Sequence, residues 1–242
     1  MSDLIKMSPD KFIKIINGDY IDDPKYKKYY DKEDNKICFD SIILDEHIVF
    51  NNLMKPYYQT IWVYDSEVKS TAIAFWGGEL DIDLQFLSVR FREEVFVMNK
   101  DASSLTFEGC VFESSIRFTY VETKIISISD CGIFALWFFE GTVNQFNLSD
   151  SKVHLSTFFR NMNCESFESY NCEFRSLEFN MISGKSFKIS NFKSTILSLK
   201  EIFSKDILFQ IIDANVVNIS YNSFINLGAF YFTGASEYKK RN

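Results

Sequence analysis

The side chains best equipped for chemistry are carboxylates. Asp65, Asp130, Asp150 and Asp213 recur at similar intervals, and Asp81 and Asp83 form a close pair around Ile82. Two carboxyl groups held ~5–10 Å apart can cleave a glycosidic bond, and aligned carboxylates can hold calcium. Neither chemistry is completed. Gly109 and Asn171 occupy the same recurring position as the four aspartates and cannot do acid work. Asp81 and Asp83 lie near Gly77-Gly78 without an accompanying cluster of Arg or Lys. The five Cys contain no C-x-x-C pair, and with only two His, His47 and His154, a zinc site has no support. Cys110 and Cys131 would come within disulfide range if their segments stack. In a reducing compartment they read instead as buried thiols. No catalytic, cofactor-binding or metal-binding residue is assigned, and no cofactor is expected.

What positions these residues is a period of about 21. The pattern is apolar-x-apolar-x-x-small-x-apolar, three spacers, then apolar-x-apolar. Leu105, Phe107, Cys110, Phe112, Ile116 and Phe118 fill it, as do Leu84, Phe86, Val89, Phe91, Val95 and Val97 one period earlier. Successive openings fall at Ile37, Ile61, Leu84, Leu105, Ile126, Phe146, Phe167, Phe187 and Phe209. Regular short periods mean a solenoid, because each repeat buries its apolar face only against its neighbours. Inside a period the apolar marks fall five apart, with one extra residue, as in Phe107, Phe112 and Phe118. Five is too short for a helix and does not suit one alternating strand. It suits a short strand with two inward residues followed by a corner, four times per circuit. Predicted core residues are Phe86, Phe91, Phe107, Cys110, Phe112, Cys131, Ile133, Leu148, Cys172 and Phe174.

A second signal comes from the residue just before the small position, which reads Asp65, Ser88, Gly109, Asp130, Asp150, Asn171, Asn191 and Asp213. Gly, Asn and Asp tolerate the left-handed backbone that tight corners need. Gly109, Asp130, Asp150, Asn171 and Asn191 are therefore predicted corners, which also explains the aspartates that opened the search.

The stretch Phe107-Glu108-Gly109-Cys110-Val111-Phe112 resembles two consecutive units of the pentapeptide-repeat family, with a small residue two places before each large apolar one. The resemblance covers residues 37–220. Ser169 stands where a large residue is expected, and Phe192 and Ser194 reverse the small-then-large order. The resemblance implies an all-β chain wound as a right-handed, four-sided parallel β-helix (a quadrilateral β-solenoid) of about nine turns. It also implies two expectations about partners: that some members mimic DNA and occupy a topoisomerase, and that some dimerise through their C-terminal ends.

The rest of the chain serves as ends. Ser8, Pro9 and Gly18 mark a helix over 8–17, read as an N-terminal cap, with the charged, Tyr-rich residues 19–36 as a loop. The division is 1–36 cap, 37–223 solenoid and 224–242 an apolar segment with a basic tail. Loops are expected at 51–60 and 77–79. Trp62, Trp137, Phe224, Leu227, Phe230 and Phe232 are the candidate interface residues, the last four either closing the rod or pairing with a second copy.

Charge and targeting signals narrow the classes. The net charge is −7; residues 1–36 balance and the last six carry +2, leaving −9 on the body. No basic footprint for nucleic acid exists. No apolar run approaches ~20 residues and no signal-peptide core opens the chain, so a cytoplasmic protein that binds neither membrane nor nucleic acid directly is expected. The expected function is a non-enzymatic protein-interaction module with another protein as partner. The alternatives are a DNA-mimicking inhibitor or protector of a topoisomerase, which one continuous acidic stripe would favour, and a polysaccharide-cleaving β-helix enzyme.

Overall fold

The computed structural model describes residues 4–51, 55–74, 82–98, 102–220, 223–233 and 237–240. The chain is an all-β solenoid of about eight turns with one helix. The nine apolar openings bound eight circuits, one fewer than the expected count.

One circuit explains the rest. Cys131 and Ile133, Leu136 and Phe138, Gly141 and Val143, and Phe146 and Leu148 are four inward pairs at a step of five, all buried except the half-buried Gly141. They define faces 1 to 4 in chain order, and Ser151 starts the next circuit. Strand residues pair in parallel with their counterparts one turn on, for example Phe118 with Phe138 and Ile126 with Phe146. Circuits of 21 residues carry their extra residue between faces 1 and 2, where the register slips between Phe112 and Ser115. The same five-residue beat places Ile207 and Phe209 inward as a pair. The last opening is therefore Ile207 rather than Phe209.

Parallel register turns the interior into columns of like side chains. Phe86 stacks on Phe107 at 5.3 Å between ring centroids and Phe91 on Phe112 at 4.9 Å. Further on, Phe146, Phe167 and Phe187 form one stack and Phe138, Phe159 and Phe179 another. The two stacks meet edge to face, with Phe167 and Phe179 at 87°. Burying each ring contributes ~1.5–3 kcal/mol before chain entropy, and ring–ring contact adds ~0.5–1.5 kcal/mol. Of the other predicted core residues, Cys110, Cys131, Ile133, Leu148, Cys172 and Phe174 are all buried. At the reversed unit Phe192 and Ser194 are both buried too, and Phe192 meets Phe174 edge-on at 6.1 Å. A large ring at the small position fills space left by the small residue, so the register survives.

Two columns of corners have left-handed backbone. The first, between faces 4 and 1, holds Ser41, Asp65, Ser88, Gly109, Asp130, Asp150, Asn171 and Asn191, with φ from 48° to 62°. From Ser41 to Asn171 each corner N–H along it donates to a carbonyl one turn on, as Asp150 does to Tyr170 at 3.2 Å. Side chains bond along it as well: the Asn171 amide donates to Asp150 at 2.5 Å and that of Asn191 to Asn171 at 3.0 Å. The second, between faces 2 and 3, holds Tyr120, Glu140, Asn161, Met181 and Glu201.

The N-terminal end is closed more fully than expected. Strand Ile5–Lys6 adds to the first turn beside Ile42 and Ile43. Helix α1 (Pro9–Ile16), capped by Ser8, lays Phe12 on Phe39 at 4.1 Å. The expected loop over 19–36 contains a 3-10 turn and a strand, Tyr30–Asp31, antiparallel to Lys36 and Ile37. Tyr29 and Tyr30 are buried there, and the Tyr30 hydroxyl donates to the Ile15 carbonyl at 2.8 Å. At the other end, Ser223–Thr233 and Glu237–Lys240 pair in parallel with the preceding turn. The ladder thus continues past the expected boundary at 223 instead of folding back over the rod.

Candidate interaction face

On each face one residue points outward between the two inward ones, and in parallel register these outward residues also form columns. On face 2 the column reads Val49, Ala72, Phe96, Arg117, Trp137, Phe158 and Glu178. All seven are half-buried, because neighbours ~4.8 Å apart shield one another. Phe139 lies beside this column, 5.5 Å from the Phe158 ring, and Arg160 follows Phe139 in register. The Arg117 guanidinium lies 5.1 Å from the Trp137 ring and reaches Glu94 at 3.2 Å. The Trp137 indole N–H donates to the Ser156 hydroxyl at 3.1 Å. Cation–ring contact and that bond hold the Trp137 indole in place. Arg160 is exposed and has no ion pair among the described residues.

The other faces differ. On face 1, Glu67 stands opposite Arg90 in the ladder, Arg92 pairs with Glu67, Lys69 reaches Glu93 at 3.8 Å, Arg90 reaches Glu113 at 3.8 Å, and Lys152 meets Glu173 at 2.6 Å. The Lys6 ammonium, hydrogen-bonded to Asp45 at 2.7 Å, holds that carboxyl below the usual carboxylate range. Face 3 presents Glu122, Thr142, Asn163 and Ser183 in one column, and face 4 Gln85, Thr106, Ser127 and Asn147. Beyond these, Lys185 pairs with Glu165 and Lys188 with Glu168. Acids and bases interleave along the described faces.

The candidate residues from the sequence do not converge. Trp137 lies on face 2, but Trp62 lies on face 4 near the capped end, half-buried under the Lys36 ammonium at 4.1 Å. Phe224, Leu227, Phe230 and Phe232 stand opposite Ser204, Ile207, Phe209 and Ile212 in the ladder; their side chains lie outside the described residues. The expected loop residues 52–54 and 77–79 lie outside them as well. Phe96, Phe139 and Phe158 escaped the sequence reading. For Phe96 and Phe158 the signal was an apolar residue between two inward ones, and for Phe139 one just before a corner.

The chemical candidates separate too. Asp81 lies outside the described residues, and Asp83 accepts a hydrogen bond from the Ser104 hydroxyl. His47 Nδ1 meets the Ser70 hydroxyl at 2.8 Å. No group of three metal-ligating side chains occurs among the described residues. All five Cys are free thiols. Cys110 and Cys172 Sγ sit 3.2 and 3.5 Å from the carbonyls of Phe86 and Leu148. Burial pushes the Cys164 and Cys172 thiols up to about 12 and about 11. Cys110 is raised as well, by its bond with Cys131 and by burial. Such thiols pack as small apolar groups. No described helix is long and apolar enough to cross a membrane.

No family model, curated protein or solved structure matches the chain.

Proposed function

We propose that the chain is a non-enzymatic protein-interaction module, a rigid solenoid of the pentapeptide-repeat kind that docks its partner on face 2. The observation that carries this reading is the outward column Phe96, Arg117, Trp137 and Phe158, with Phe139 and Arg160 beside it. Recognition surfaces concentrate aromatic and Arg side chains, and rings already held in place lose little freedom on binding. The partner presents apolar side chains beside a carboxylate, because Arg160 leaves a cation at the edge of the rings. The interleaved charges of faces 1, 3 and 4 weigh against DNA mimicry, which calls for one acidic stripe. The isolated Asp83 offers no support for glycoside cleavage.

The test is affinity capture from the native cell with wild type, a Trp137→Ser/Phe158→Ser variant and a face 4 control, Asn147→Ala. A partner retained by wild type and the control but lost with the face 2 variant, at closely similar melting temperatures, is the expected result. Equal capture by all three contradicts the reading.

A further inference from the structure

Toward the C-terminal end of face 1 cations outnumber carboxylates. Lys152, His154, Arg175 and Lys193, from three successive turns, line a surface concavity of about 420 Å³ together with Glu173 and Asp213. Glu173 is bonded to Lys152 at 2.6 Å and so neutralises it. Arg175 and Lys193 have no ion pair among the described residues, unlike Lys69, Arg90 and Arg92 earlier on the same face. The Glu173 carboxyl is held below its usual range by Lys152 first, with Lys193 and His154 adding to the effect. Lys152, Arg175 and Lys193 against Glu173 and Asp213 leave the concavity a formal +1, although the whole chain is acidic.

We infer that this concavity is a binding site for a phosphoryl oxyanion, held by Arg175 and Lys193 with His154 at its edge. A guanidinium fork matches two oxygens of a tetrahedral anion, and an ammonium from the adjoining turn supplies a third, charge-assisted bond. The site lies on a different face from the aromatic column and does not depend on the interaction reading.

The full-length protein is titrated with inorganic phosphate and, separately, with phosphoserine, while nitrogen–proton NMR spectra are recorded at ionic strength held constant with sodium chloride. Saturable shifts confined to residues 152–155, 173–175 and 193–195 are expected. Saturation by phosphate alone marks a free-anion site, and saturation by phosphoserine as well marks a monoester site. Arg175→Gln combined with Lys193→Gln weakens binding at least about tenfold at unchanged melting temperature. Glu173→Gln, which frees Lys152, strengthens it, an outcome that a purely structural role does not predict. Shifts that are linear, scattered, saturated by neither ligand or unchanged in the double variant overturn the inference.

Discussion

Faces 1 and 2 share one backbone, one register and one core, yet aromatic rings gather in the outward column of face 2 and ion pairs on face 1. Along face 1 the column reads Ile43, Glu67, Arg90, Val111, Gly132, Lys152 and Glu173, with its charged members paired to acids or bases beside them. Along face 2 the equivalent positions are Val49, Ala72, Phe96, Arg117, Trp137, Phe158 and Glu178. Nothing in the solenoid requires the second arrangement. Inward positions are dictated by burial and corners by φ, so the residue between two inward neighbours is where a chain of this build is free to vary. The aromatic rings in that free position are what support the proposed docking face.

Changes to the shared core should abolish the contrast altogether. Phe138 is buried between Phe118 and Phe159, at 6.0 and 6.4 Å between centroids. Phe138→Asp places an unpaired carboxylate there and costs at least about 4 kcal/mol. Cooperative thermal unfolding followed by circular dichroism is expected to disappear, and both faces with it. A variant that still melts cooperatively near the wild-type temperature would mean that the column is not a continuous core. Gly184 comes next. A Cβ there would meet the Cys164 carbonyl oxygen at 1.8 Å, so Gly184→Ala forces two turns apart and costs about 3 kcal/mol in urea denaturation.

Alkali sharpens the same point, because it acts on the buried thiols of the core. Cys164 and Cys172 titrate at about 12 and about 11 when folded, against an ordinary value near 9. The unfolded chain then loses thiol protons first. Stability is complete below about pH 9 and falls as pH rises toward the folded values. A double Cys→Ala variant that retains the full alkaline loss would contradict that assignment. The smallest effect belongs to face 1 itself. Arg92 is exposed and pairs with Glu67, so Arg92→Gln changes stability by less than about 1 kcal/mol, and added salt erases the difference.

Which parts were legible in the sequence follows from how strictly the fold constrains each position. Phe107, Phe112 and Phe118 announced the inward beat, because a slip by one residue would expose them. The first corner column announced itself through Asp130, Asp150, Asn171 and Asn191, whose side chains suit left-handed backbone and bond along the stack. The second corner column did not. Tyr120, Glu140, Met181 and Glu201 carry no such preference and are held left-handed by the paired strands on either side. The glycines nearby lie just past the corner, where Gly141 allows the Val121 carbonyl oxygen to come within 2.3 Å of an added Cβ. The Tyr-rich segment before Lys36 resembled a solvated loop because Tyr29 and Tyr30 are flanked by charge. Their rings are nonetheless buried, Tyr29 lying 5.4 Å from Phe39. Face 2 needed the completed register before Phe96 and Phe158 could be aligned with Trp137.

Photo-crosslinking in the native cell addresses the face 2 assignment most directly. Benzoylphenylalanine is placed in turn at Phe158 on face 2, Glu113 on face 1 and Ser127 on face 4. A covalent adduct to one discrete protein from position 158, absent from 113 and 127, is the predicted result. Adducts of equal yield from all three positions, or from 113 or 127 alone, would contradict it.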